Sequence, residues 1–254
     1  MYAYKKYKKC LTESLQRIPI SPPVLPVLDY ACAVLCEAVS KKGAERDRLV
    51  RSVEYTIDSD FSTDTYLVAL PDTNNNGNSK VNAVVVFRGT KLSSTSNLKE
   101  NYLIVRQKHT VSPLFVGAVK LTEDIVKKYG IGNILLTGFS LGGARALFVS
   151  EILHIPAIVF NAAWSPFNIL NQNILNNNTY TCSDPSPKVR AHIIAGDYIS
   201  NSLLCHKSCT VKKILYLKTK YTTHMLNNFL AMKREERKAN DPKRNNNTKN
   251  KNNK

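Results

Sequence analysis

No run of apolar residues in this chain reaches the roughly 18–20 needed to span a bilayer, so a membrane-spanning helix is not expected. The basic opening Met-Tyr-Ala-Tyr-Lys-Lys-Tyr-Lys-Lys has no apolar h-region behind it. That pattern is not a secretory signal peptide, and an intracellular, cytoplasmic start is the expectation. No internal repeat occurs. A second cysteine pair at zinc spacing is missing, so Cys205-His206-Lys207-Ser208-Cys209 does not read as a metal site. Acidic residues are scarce: 19 against 36 Lys and Arg, a formal net charge of +17. This excess excludes a strongly acidic surface and favours anionic partners such as nucleic acid, anionic lipid or acidic protein. Much of it lies at the two ends, and a solvated basic surface accounts for it equally well.

The chain has 254 residues and 43% apolar content, enough for one large α/β domain or two small ones. Residues 1–23 are basic and then Pro-rich, and read as an arm. Residues 24–238 read as the folded domain, and 239–254 as a disordered Asn/Lys-rich tail. Apolar residues at helical spacing predict helices over 27–40, 113–129, 141–153 and 224–238. Strands are predicted over 52–57, 65–70, 81–87, 134–137, 157–160, 189–195 and 214–217, with a hairpin turn at 72–80. The nearly all-apolar Val-Asn-Ala-Val-Val-Val-Phe is what a strand covered on both faces needs. Such alternation predicts an α/β fold with a mainly parallel central sheet flanked by helices on both faces. Cys32 and Cys36 sit one turn apart on an apolar helix face and read as core thiols. A Cys182 disulfide to Cys205 or Cys209 is compatible with the sequence, which does not choose between them.

Gly138-Phe139-Ser140-Leu141-Gly142 fits Gly-x-Ser-x-Gly, with a strand before it and a helix after. That context is the one a nucleophile elbow requires. The turn is sharp enough to strain the serine backbone, and side chains two positions either side would collide with the neighbouring strand or helix. Ser140 Oγ would then project above the sheet at a helix N-terminus, whose positive end favours developing negative charge.

A serine nucleophile needs a base, and the base needs an orienting carboxylate. Asp197 follows the strand 189–195 directly, at the carboxyl end where such sheets build sites. Asp184, in Cys-Ser-Asp-Pro, reads as a turn residue. His206 and His224 both follow the acid. His206 lies in a polar, cysteine-flanked loop. His224 follows the last strand and opens the last helix, and is the better placed. His109, His154 and His192 read as structural. Val-Val-Val-Phe-Arg-Gly-Thr ends a strand in a turn, so backbone N–H groups of Thr90 and Leu141 are candidates for an oxyanion hole. Arg88 reads as an anchor for that loop.

Val-Phe-Arg-Gly-Thr, Lys-Tyr-Gly, Leu-Thr-Gly-Phe-Ser-Leu-Gly-Gly-Ala, Gly-Asp and His-Met-Leu, in this order, resemble the class 3 (fungal-type) lipase family over about residues 50–230. The resemblance implies an α/β-hydrolase fold. It also implies cofactor-free, metal-free cleavage of lipid carboxyl esters through an acyl-enzyme. Ser140 would be nucleophile, Asp197 acid and His224 base, Thr90 and Leu141 would line the oxyanion hole, and about 91–110 would be a lid. The chain departs from the family at Phe139, where histidine is usual. It departs again at Phe115-Val116-Gly117-Ala118, where His-x-Gly-Phe is frequent, and at Tyr198, where proline is frequent. Its Asn-, Lys-, Ile- and Tyr-rich composition also resembles that of lipase-like proteins of large DNA viruses.

The resulting expectation is a serine ester hydrolase acting on lipid, a triacylglycerol lipase or a phospholipase A1-like enzyme. Its basic ends would offer contact with an anionic membrane. The rivals are a soluble short-chain esterase or thioesterase, and a non-catalytic hydrolase scaffold that binds anionic membrane or nucleic acid.

Overall fold

Val84 and Val86 enter one apolar core, while Ala83, Val85 and Phe87 enter another. The same split recurs at Ile158 and Phe160 against Ala157 and Val159. Successive side chains of a strand point to opposite faces, so a sheet that is apolar on both must be covered twice.

The computed structural model describes residues 18, 21, 24–72, 81–89, 113–163, 188–197, 199–200, 203, 211–216 and 224–232. Its strands are β1 (Tyr55–Ile57), β2 (Tyr66–Pro71), β3 (Ala83–Phe87), β4 (Ile134–Phe139), β5 (Ala157–Phe160), β6 (Val189–Ile194) and β7 (Val211–Tyr216). They form one seven-stranded sheet in chain order. The pairs β1–β2 and β2–β3 are antiparallel, and every pairing from β3 to β7 is parallel. The helices are α1 (Val27–Ala38), α2 (Gly43–Arg51), α3 (Pro113–Tyr129), α4 (Leu141–Leu153) and α5 (227–232). Side chains of α1 and α5 fill one core, and those of α3 and α4 the other. Parallel strands laid down in one direction by right-handed crossovers put α3 and α4 on the same face. This is the α/β architecture with a mainly parallel sheet and helices on both faces.

Some boundaries differ from the sequence reading. Helix α2 has no apolar stripe: only Val50 is buried, so periodicity is silent there. Arg48 and Arg51 in its last turn suit the helix dipole, and it packs on α1 and β1. β1 starts at Tyr55 because Glu54 turns the chain at φ 67°. β7 starts earlier than expected, at Val211, because Lys212 points outward from an edge strand and interrupts the apolar run. Ser21 N–H donates to Leu215 O at 2.7 Å on that edge. Cys32 and Cys36 are buried free thiols, as expected, and burial pushes the Cys36 thiol up to about 12. Cys10, Cys182, Cys205, Cys209, the hairpin turn beyond Asp72 and both terminal segments, apart from Ile18 and Ser21, lie outside the described residues. No helix among the described residues is long and apolar enough to cross a membrane.

A buried polar network ties α1 to the sheet. Asp29 is wholly buried, and its carboxylate accepts Arg190 Nη2–H at 2.7 Å and Nε–H at 3.1 Å. It also accepts His192 Nε2–H at 2.7 Å, while Tyr216 O–H donates to His192 Nδ1 at 2.9 Å. A carboxylate only accepts, which fixes the imidazole proton on Nε2. Burial alone would raise the Asp29 carboxyl, but its bonds to His192 and Arg190 hold it below the usual range. Burial also holds His192 below its ordinary value, so it is neutral in the fold.

Asp29→Ala leaves both partners without their acceptor. It is expected to cost toward the lower end of about 3–5 kcal/mol, because Arg190 is 40% exposed and water screens it, and urea unfolding measures the loss. His192 gives a pH signature of known sign. A depressed histidine contributes stability above its unfolded value of about 6.5 and loses it as pH falls. Glu151, raised by burial to about 7, acts in the opposite sense. The comparison is therefore between variants. His192→Gln should lose less stability than wild type between about pH 7 and about pH 5. Equal losses would contradict the neutral, buried assignment.

Candidate active site

The parallel strands end on one side of the sheet, and their exits carry the polar residues of interest. Ser140 follows β4, Asp197 lies just beyond β6, and His224 lies beyond β7. Ligand sites of open α/β sheets form at this carboxyl end.

Ser140 adopts φ 56° and ψ −122°, outside the regions open to ordinary residues. Three backbone bonds hold it there. Its N–H donates to Phe160 O at 3.1 Å, and its carbonyl accepts Ala144 N–H at 3.0 Å and Ala163 N–H at 2.9 Å. The two flanking glycines make the turn sterically attainable. A Cβ on Gly142 would lie 2.0 Å from Phe87 O of β3, and one on Gly138 would lie 2.3 Å from the Gly142 carbonyl. Ser140 occupies the N-cap position of α4, yet its hydroxyl makes no capping bond. The strained backbone turns Oγ away from the helix amides.

Oγ meets His224 instead. His224 Nε2 lies 2.9 Å from Ser140 Oγ, and His224 Nδ1 lies 2.9 Å from Asp197 Oδ2. The carboxylate accepts from Nδ1–H, which leaves the Nε2 lone pair facing the serine hydroxyl. Asp197 is wholly buried and the His224 side chain is 9% exposed. The Phe139 ring lies 5.1 Å from the His224 ring, centroid to centroid, tilted by 32°. A buried carboxylate must be well hydrogen-bonded to stay ionised. Here Ile199 N–H donates to Oδ1 at 3.1 Å and Ser200 O–H to Oδ2 at 2.9 Å.

The structure thus brings together Ser140, Asp197 and His224, three residues chosen from strand-end positions. Leu141 is the first residue of α4, so its N–H has no acceptor within the helix. Thr90, the lid segment, Asp184, His109 and His206 lie outside the described residues. His154 ends α4 in a left-handed conformation, on the surface. Arg88 anchors its loop by donating to Asp64 O at 2.6 Å. Among the described residues no group of three or more His, Cys, Asp or Glu is arranged to hold a metal ion.

Two residues escaped the sequence reading. Ser200 lies three positions after the acid, and no motif marks it. Asn161, wholly buried, has φ 39° and accepts Ile194 N–H on Oδ1 at 2.9 Å. It ties the ends of β5 and β6 together, and its only signal was an Asn directly after an apolar strand.

A family model described as an uncharacterised protein family, UPF0227, matches residues 92–218, half of the chain. The chain belongs to the UPF0227 family. The span matched by the UPF0227 model contains Ser140 and Asp197 and ends before His224. Among solved structures the chain is similar to the Rhizomucor miehei lipase propeptide complex, at 18% identity over 68% of this chain and 61% of that one, with a TM-score of 0.38. It therefore spans about three-fifths of the lipase complex chain. It is also similar to a double mutant of the esterase E40, at 9% identity over 84% and 94% of the two chains, TM-score 0.38. EstE5–PMSF matches at 13% identity over 93% and 94%, TM-score 0.40. The sheet order, the strand–turn–helix elbow and the strained serine give this member of UPF0227 an α/β-hydrolase fold.

The packing at the elbow makes a direct prediction. Gly142→Ala should prevent the turn from closing on β3 and cost at least about 3 kcal/mol, as an overpacking change that backbone cannot absorb. Gly117→Ala, on α3 with nothing within 4 Å of the added carbon, should stabilise by about 0.5–1 kcal/mol. Thermal unfolding of both variants checks the contrast.

Proposed function

We propose that the protein is a serine-dependent carboxylic ester hydrolase that acts on lipids through Ser140, His224 and Asp197. The observation that supports this best is the unbroken bond chain from Oγ to Nε2 and from Nδ1 to Oδ2, each 2.9 Å, on a strained elbow. In this reading His224 Nε2 takes the hydroxyl proton as Ser140 Oγ attacks the acyl carbonyl. The tetrahedral oxyanion is met by the Leu141 and Thr90 N–H groups. The imidazolium, held by Asp197, returns the proton to the leaving alcohol and leaves an acyl-serine. A water then repeats the sequence, giving the free acid and regenerating Ser140.

Lipid as substrate rests on two supports. The motifs resemble those of class 3 lipases, and the ground beside Ser140 is apolar. Phe115, Leu141, Ala144 and Phe148 form a small cluster with Ala163 packed on it, and Met225 beside His224 is 36% exposed. The product is a fatty acid, from a triacylglycerol or by a phospholipase A1-like cut. The net charge of +17, to which the segments 1–23 and 239–254 contribute +4 each, supports docking on anionic lipid.

Ser140→Ala is expected to lower turnover of p-nitrophenyl esters by about 10⁴–10⁶, since such groups act as a unit. An undiminished rate in that variant would sink the assignment. A chain-length series separates the substrate classes. A lipase gains activity when its substrate passes the solubility limit, whereas a short-chain esterase or thioesterase loses it. Salt-sensitive capture on anionic vesicles that survives Ser140→Ala, with no hydrolysis by wild type, would favour a binding scaffold.

A further inference from the structure

Asp197 Oδ2 accepts two bonds, one from His224 Nδ1–H and one from Ser200 O–H, each at 2.9 Å. Oδ1 is held by the Ile199 backbone amide at 3.1 Å. Ser200 is wholly buried, and its carbonyl accepts Leu203 N–H at 2.9 Å, which fixes the turn that carries it. Both carboxylate oxygens are therefore clamped, one by main chain and one by this hydroxyl.

We infer that Ser200 is a positioning residue for His224: its hydroxyl sets both the orientation and the charge of the oxygen that His224 leans on. The inference rests on the ester-hydrolase reading above. Without Ser200 only the imidazole itself holds Oδ2, and the carboxylate gains freedom to turn about its Oδ1 anchor. Oδ2 also carries more unshared negative charge. That charge favours the imidazolium, so His224 holds its proton more tightly and is deprotonated only at higher pH. Two consequences follow that a merely structural serine would not produce together. The plateau rate falls because the base is less well held, and the acidic limb of the pH–rate profile moves upward. In this profile kcat/KM reports the ionisation of the free enzyme, so the limb is read directly from the base.

The test is the pH profile of kcat/KM for p-nitrophenyl butyrate hydrolysis by wild type, Ser200→Ala, Ser200→Thr and Ser140→Ala. Ser200→Ala is expected to lower the plateau about 10-fold and raise the acidic midpoint by about 0.5–1 pH unit, the range a lost hydrogen bond to an ionised group allows. Ser200→Thr keeps the donor and should return the midpoint to the wild-type value even if its extra methyl lowers the plateau. Should Ser200→Ala fail to fold, Ser200→Cys keeps the shape with a weak donor and should show the same upward shift. A wild-type midpoint in Ser200→Ala, or in Ser200→Cys if that replaces it, would overturn the positioning role and leave the ester-hydrolase reading intact. Wild-type rates no higher than those of Ser140→Ala at any pH would overturn both.

Discussion

The site depends on one close approach between backbones. At Gly142 the first turn of α4 lies so near the end of β3 that a single added carbon would sit 2.0 Å from Phe87 O. This contact fixes where the helix begins relative to the sheet. With the helix start so placed, the chain leaving β4 must reverse within one residue, and Ser140 takes φ 56°. The strain is local, of order 1–3 kcal/mol, and the surrounding bonds from Phe160, Ala144 and Ala163 over-determine it. The same strain turns a serine at an N-cap position away from capping. Its hydroxyl bonds an imidazole instead.

The rest of the molecule holds the other side of that bond. β6 delivers Asp197, and β7, paired with it in parallel register, precedes His224. That register is secured away from the site by the buried set of Asp29, Arg190, His192 and Tyr216, which links α1, β6 and β7. Two Asp–His pairs with different surroundings thus occur among the described residues. In one, Tyr216 faces the second imidazole nitrogen and an arginine neutralises the carboxylate. In the other, the second nitrogen faces the strained serine, and the carboxylate is balanced by a main-chain amide and a hydroxyl. Both imidazoles thus face a hydroxyl, but one is the phenol of Tyr216 within the buried network, and the other is the Ser140 hydroxyl on the strained elbow.

Much of the sheet was legible because its central strands are apolar on both faces and bounded by turns. The elbow was legible for the same reason the fold requires it: only glycine fits at 138 and 142. Asp197 and His224 were legible as polar residues at strand exits. What escaped lacked an apolar or positional signal. Helix α2 buries only Val50, and the first half of β7 carries outward lysine. Ser200 looks like any loop serine until the turn that returns it to Asp197 is known. Asp29 is the exception, since a carboxylate in the apolar helix Val-Leu-Asp-Tyr-Ala-Cys itself calls for a buried partner. Thr90, the second proposed oxyanion donor, belongs to a segment outside the described residues, so its part rests on the motif alone.

The central claim is that the closed elbow presents an activated hydroxyl at Ser140. Fluorophosphonate labelling of the purified protein, with the adduct located by peptide mass spectrometry, tests it most directly, because the reagent needs no knowledge of the acyl group. The account predicts a single adduct on Ser140 that is lost in His224→Ala. An unlabelled Ser140 in the presence of anionic vesicles, or labelling that survives His224→Ala undiminished, would contradict it.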